Sequence, residues 1–222
     1  MRKIIKSLLF PILKRIYAFR SSRARNYSKY GIDLVIQPSV FHPGLFLSTN
    51  IFIEFIQKFD FEGKKVLELG AGSGMISFYA AKYKKAIVTA SDINPMAIAG
   101  LKKNSLQTKI PITVLSSDLF ENLQASDFDF ILINPPYYPK DPENSTESAF
   151  YCGANFEYFT RLFAQLHEKA VLTENQTFLI LSQDCEIEKI KELAIEQKIV
   201  FKKVHKEKKL GEWSYIFRLV DL

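Results

Sequence analysis

Cysteine is scarce: Cys152 and Cys185 are the only two in 222 residues, and their spacing fits neither a metal site nor a disulfide framework. A disulfide-stapled secreted scaffold is thereby excluded, and a reducing, cytoplasmic setting is expected. Histidine occurs three times, and His42 has no second ligand at metal spacing, so no metal site is expected. No acid precedes Asp33. The most apolar early stretch is too short and too charged to span a bilayer, so no transmembrane segment is expected. Internal repeats and low-complexity tracts are missing too, which argues against solenoids and biased linkers.

What is present is a chain 47% hydrophobic, with 19 Phe and 10 Tyr, enough for one sizeable core. The formal net charge of +6 is unevenly placed: nine of the 30 Lys and Arg fall between Arg2 and Lys29, leaving 21 bases against 24 acids. In that first stretch Ile4, Ile5, Leu8, Leu9, Ile12, Leu13 and Ile16 recur at near-helical spacing, with Lys3, Lys6, Lys14 and Arg15 largely between them. The expectation is a basic amphipathic helical arm over residues 1–30, bent at Pro11, ahead of one domain over 31–222. Such an arm suits docking on its own domain, or contact with nucleic acid, a partner or an anionic membrane surface. A second basic cluster, Lys198, Lys202, Lys203, Lys206, Lys208 and Lys209, lies near the C-terminus.

Within the domain, Gly31 to Ile36 reads as a short strand, and Ser48 or Thr49 is placed to cap a helix running through Phe52, Phe55 and Ile56. An apolar strand from Lys65 then enters the turn Gly70-Ala71-Gly72-Ser73-Gly74 and a helix. Glycines let the backbone approach a ligand, and a helix N-terminus offers free N–H groups. A second strand, Ala86 to Ala90, ends at Ser91-Asp92, where a carboxylate can hold two ribose hydroxyls. A helix starts at Asn94-Pro95. A third strand, Ile110 to Leu115, leads to Asp118, placed to accept from an adenine amino group with Leu119 or Phe120 against the ring.

The fourth strand, from Asp127 to Ile133, runs into Asn134-Pro135-Pro136-Tyr137. Two prolines continue neither a helix nor a central strand, so the backbone turns rigidly there. Asn134 Oδ1 and the Pro135 carbonyl are suited to accept both hydrogens of a planar NH2 group, with Tyr137 on its flat face. A fifth strand, Thr177 to Ser182, a helix from Ile187 to Ile195, and a hairpin of Ile199 to Val204 with Trp213 to Leu219 complete the chain. Phe156, Phe159, Leu162, Phe163 and Leu166 line one helix face as core. Alternating strands and helices imply an α/β, Rossmann-like doubly wound fold, with seven mostly parallel strands and an antiparallel C-terminal hairpin. In such a sheet the strand ends converge on one crevice.

A glycine-rich turn followed by an acid is a general dinucleotide signal. Here the spacing is Glu68-x-Gly70-x-Gly72-x-Gly74, which differs from the G-x-G-x-x-G of NAD sites, and Glu68 is suited to an amino-acid ammonium that NAD lacks. Val66 to Gly74, Asp92-Ile-Asn-Pro-Met-Ala97, Ser117-Asp118-Leu119 and Asn134-Pro-Pro-Tyr137 together resemble the class I S-adenosylmethionine-dependent methyltransferases. The Asn-Pro-Pro-Tyr element resembles their amino-methylating branch, which includes HemK-type protein-glutamine, N6-adenine and guanine-N2 enzymes. Phe41-His-Pro-Gly44, Ala149 to Asn155 and Gly211 to Phe217 look most like short HemK-like members.

The resemblance implies S-adenosylmethionine as cofactor. Glu68, Gly70, Ala71, Gly72 and Gly74 would cradle its methionine part, Asp92 and Ile93 its ribose, and Asp118 and Leu119 its adenine, with Asn134 beside the methyl. Asn134, Pro135, Pro136 and Tyr137 would carry the transfer. A protein glutamine is the first expected acceptor. An adenine or guanine amine in RNA or DNA is the second. A partner- or membrane-docked binding protein retaining the fold is the third.

Overall fold

The computed structural model describes residues 22–44, 46–169, 172 and 175–222. The amphipathic helix expected ahead of residue 22 lies outside the described residues. Arg25–Lys29 (β1) pairs antiparallel with Ile32–Ile36 (β2) around a turn at Tyr30 and Gly31, both at positive φ. The expected boundary after residue 30 therefore falls inside a hairpin. Ile32, Leu34 and Ile36 alternate inward along β2, as a half-buried strand requires.

Seven strands form the main sheet: Lys65–Leu69 (β3), Ile87–Asp92 (β4), Thr113–Ser116 (β5), Phe130–Ile133 (β6), Gln176–Ser182 (β7), Ile199–Lys209 (β8) and Glu212–Asp221 (β9). Their order is β5-β4-β3-β6-β7-β9-β8. The first five are parallel, and β9 lies antiparallel between β7 and β8. The α/β class, the strand number and the closing hairpin are as the sequence implies.

Helices Ser48–Ile56 (α1), Met75–Lys84 (α2), Pro95–Thr108 (α3), Glu157–Glu168 (α4) and Ile187–Glu196 (α5) cover the two faces. The strand side chains alternate between two apolar clusters. Phe130, Leu132, Phe178 and Ile180 join the cluster that holds α1 residues Phe52 and Phe55. Ile131, Ile133, Leu179 and Leu181 join the one that holds Phe159, Leu162, Phe163 and Leu166 of α4. Each fully buried Phe or Leu contributes roughly 1.5–3 kcal/mol by leaving water, so the run Phe130–Ile133 is fixed in place on both faces.

Three local expectations change. Leu47 takes the N-cap position of α1, and no side chain caps it. Strand β5 begins at Thr113, because Pro111 has no N–H to give to a ladder. The hairpin strands are longer than expected, since lysines alternate along β8 without breaking the pairing. Asn94 caps α3 by accepting from Met96 N at 2.9 Å, and Pro95 occupies the first turn. Among the described residues, no helix is long and apolar enough to cross a membrane.

Candidate active site

The chain runs outward from β3 toward one edge through β4 and β5, and toward the other through β6 and β7. The reversal between β3 and β6 opens a crevice at their carboxyl ends. Leu69 and Ile133 are register partners across these strands, so Gly70 and Asn134 leave the sheet side by side. A cavity of about 530 Å³ lies there, a volume suited to a nucleoside-sized ligand. The turn reaches it through Gly70 and Gly72 at φ 71° and 53°, a region costly for other residues. A side chain added at Gly70 would meet nothing within 4 Å, so it is the backbone conformation that calls for glycine there.

Three of the acidic residues that line the crevice come from β3, β4 and the loop after β5. Glu68 is buried, and its Oε2 accepts from both the amide and the hydroxyl of Ser77 in the first turn of α2. Burial pushes the Glu68 carboxyl up to about 8, against those two hydrogen bonds. Asp92 accepts from Gly72 N at 2.7 Å and from Asn94 N at 2.8 Å, one on each oxygen. Each oxygen keeps a further lone pair for a ligand hydroxyl. Burial raises the Asp92 carboxyl, and the backbone N–H groups pull it back. Asp118 faces Arg161 of α4, whose Nη2 lies 2.5 Å from Oδ2. Leu119 follows with φ 49°, buried against the second cluster.

On the other wall, Tyr137 N and Tyr138 N both donate to Phe150 O at 3.0 Å, and Cys152 N donates to Tyr138 O at 3.0 Å. This ladder straps the segment after the prolines to residues 150–152. It closes the loop that runs from Tyr138 to Ser148. Lys140 adds to the closure, with Nζ 3.2 Å from Glu143 and 3.7 Å from Glu147. Asp141 accepts from Ala154 N at 2.9 Å. The Tyr137 and Tyr138 rings meet edge to face at 4.8 Å. Burial holds both phenols well above the ordinary tyrosine value, so both stay protonated. The Asn134 carboxamide faces the cavity and makes no hydrogen bond to any described residue.

The structure brings Glu68, Gly70, Ala71, Gly72, Asp92, Ile93, Asp118, Leu119 and Asn134 to Tyr137 onto this one cavity. Gly74 is set apart from it. It starts α2 in a left-handed conformation, and a Cβ there would run into Leu101 and Phe78. Sequence reasoning missed Ser77, Arg161, Tyr138, Tyr158 and Phe150. Arg161 lies outside the apolar stripe of α4, and no motif marks it. Phe41 and Phe150 also line the cavity, and Phe46 packs against both at 4.9 and 5.3 Å.

The chain resembles several known proteins. A provisionally named protein N5-glutamine methyltransferase of Methanocaldococcus jannaschii is 36% identical over 121 residues, 53% of this chain and 57% of that one. The ribosomal RNA small subunit methyltransferase C of Actinobacillus pleuropneumoniae is 30% identical over 116 residues, 51% of this chain and 35% of that one. The aligned segment thus spans little more than half of these curated relatives at most. The crystal structure of a methyltransferase from Pyrococcus furiosus superposes with a TM-score of 0.60 at 20% identity, covering 95% of this chain and 98% of that one. That likeness is one of fold. Residues 31–156, more than half of the chain and nearly all of the cavity, match the family model of the methyltransferase small domain, and the chain belongs to that family.

Proposed function

We propose that this protein transfers a methyl group from S-adenosylmethionine to a planar NH2 group, and that the acceptor is the side-chain amide of a protein glutamine. The observation that carries the reading is the Asn134 carboxamide, facing the cavity beside the glycine turn with no partner among the described residues. The residues present fit the cofactor. Asp92 keeps lone pairs for two ribose hydroxyls, Asp118 offers an acceptor for an adenine amine, and buried Glu68 suits an ammonium. When bound, the cofactor supplies an electrophilic sulfonium methyl.

The protein's part is to hold the acceptor. An amide nitrogen is a poor nucleophile because its lone pair is delocalised. Asn134 Oδ1 and the Pro135 carbonyl accept its two hydrogens, which pushes electron density onto nitrogen. Tyr137 fixes the plane of the amide. No strong base is needed, because orientation and fixed dipoles together lower the barrier by several kcal/mol.

The cavity's charge favours an amide acceptor over a nucleotide. Asp92, Asp118, Asp141 and Glu157 line it beside the largely protonated Glu68, against Arg161 alone, and Arg161 is engaged by Asp118. A phosphate next to the acceptor would meet repulsion there. The similarity to glutamine-methylating relatives points the same way. A base amine is the competing reading, supported by the ribosomal RNA relative.

Radiolabelled methyl transfer into a cell extract, fractionated into protein, RNA, DNA and small molecules, decides between them. Label in protein, mapped to glutamine, is expected. Label in RNA or DNA alone would favour the base amine, and no label in any fraction would remove both.

A further inference from the structure

Toward its tip, the C-terminal hairpin sorts its charges between two faces. Directly paired residues of an antiparallel ladder share a face. The pairs Glu207–Ser214 and Lys209–Glu212 put both tip glutamates on one side. There the charges are satisfied: Lys209 reaches Glu54 and Glu207 at 2.5 and 3.1 Å, and His205 reaches Glu207 at 3.4 Å. The pairs Lys206–Tyr215 and Lys208–Trp213 occupy the opposite side. Lys203 joins them across the register shift, with Nζ 6.0 Å from the Tyr215 ring centroid. Lys206 and Lys208 lie 5.5 and 5.6 Å from that of Trp213. All three lysines are exposed, both rings are half-buried, and none of the lysines meets a carboxylate among the described residues.

Lysines on an edge strand discourage sheet-to-sheet pairing, and that accounts for some of them. It does not account for two aromatic rings among them, or for the confinement of the tip's acids to the other face. The strip also has a location. Ser214 pairs with Ser182 at the carboxyl end of β7, and Gln183 N donates to Trp213 O at 2.8 Å. This is the carboxyl-end side of the sheet, the side on which the cavity also lies, and Tyr215 packs against the same apolar cluster as Tyr137.

We propose that this face binds single-stranded RNA, with Lys203, Lys206 and Lys208 on phosphates and Trp213 and Tyr215 against bases. An acidic peptide would use the cations, but its carboxylate side chains offer the rings no aromatic face to stack on. The strip stands apart from the acceptor question, since an RNA held on that side of the sheet serves equally a base substrate or a protein acceptor bound to RNA.

Trp213 is the only tryptophan in the chain, so its emission reports on the strip directly. The full chain is titrated with a short mixed-sequence single-stranded RNA while tryptophan fluorescence and RNA anisotropy are followed together. Saturable quenching that weakens with salt is expected. The K206E/K208E variant is expected to lose about tenfold or more in affinity, and roughly 1.4 units of the slope of log K against log salt. Both substitutions are on exposed side chains, and an unchanged far-UV spectrum with intact S-adenosylhomocysteine binding shows that the fold persists. K206Q/K208Q should lie between the two. Four results would overturn the proposal: no RNA binding, binding that leaves Trp213 emission unchanged, full affinity in K206E/K208E, or displacement of RNA by polyglutamate at equal charge.

Discussion

Arg161 Nη2 lies 2.5 Å from Asp118 Oδ2 and 3.5 Å from Glu121 Oε1, tying α4 to the loop that follows β5. One helical turn on, Gln165 Oε1 accepts from Phe120 N at 2.8 Å. The loop between these two anchors holds Leu119 at φ 49°, a conformation that persists only when its surroundings enforce it. Arg161→Ala should therefore loosen the adenine wall and weaken S-adenosylhomocysteine binding several-fold. Half of the Arg161 side chain is exposed, so global stability should change by no more than about 1 kcal/mol. Calorimetric titration checks this, and unchanged affinity would refute the positioning role.

Asn134→Ala should leave cofactor binding near normal and slow methyl transfer. The lost hydrogen bond matters most as charge shifts onto the acceptor nitrogen, so the barrier is expected to rise by about 2–4 kcal/mol. Single-turnover rates at saturating cofactor measure it. Near-normal turnover would mean that the amide does not grip the acceptor.

Asp92→Ala should act the other way, on binding. Its carboxylate holds Gly72 N and Asn94 N at once, so removal frees the glycine turn and the start of α3 together. Cofactor affinity should fall by about tenfold or more, as expected for lost charge-assisted hydrogen bonds. Equilibrium dialysis with labelled cofactor gives the answer, and an unaltered dissociation constant would contradict the assignment.

The fold was legible because its signals are local and repeated. Phe130–Ile133 reads as a buried strand on composition alone, and Asn94-Pro95 announces a helix start. The strand ends at Gly70, Asp92, Asp118 and Asn134 could be read as one site, because a parallel sheet gathers its carboxyl ends. Arg161 and Ser77 were invisible for the converse reason. Each finds its carboxylate only after folding, across 43 and 9 residues of chain. Gly74 was misread from the opposite side: its place in a glycine pattern suggested ligand contact, whereas packing against Leu101 and Phe78 explains it.

Gly74→Ala should destabilise the protein with little direct effect on the cavity. It carries φ 75°, and the added methyl would clash with the Leu101 and Phe78 side chains. Backbone strain and overpacking together should cost roughly 2–4 kcal/mol. Thermal unfolding shows the loss as a lower midpoint. A midpoint equal to wild type would mean that α3 can retreat from the turn.

The buried carboxyl of Glu68 makes the stability of the free protein depend on pH. Its folded value of about 8 stands above the ordinary 4.5, with burial as the main cause. Between those two values the folded state holds a proton that the unfolded chain has released. The contribution is therefore whole below about pH 4.5, declines as pH rises, and is gone above about pH 8. The slope is roughly 1.4 kcal/mol per pH unit at its steepest. Glu68→Gln removes this titration, so the variant should gain on wild type as pH rises, most clearly in urea midpoints compared at about pH 5 and about pH 9. A cationic amino group set against Glu68 favours its ionised form, so cofactor binding at neutral pH should expel up to about one proton. Calorimetry in buffers of different ionisation enthalpy detects that proton in wild type and should find none in Glu68→Gln. Equal proton release from the two proteins would place the amino group elsewhere.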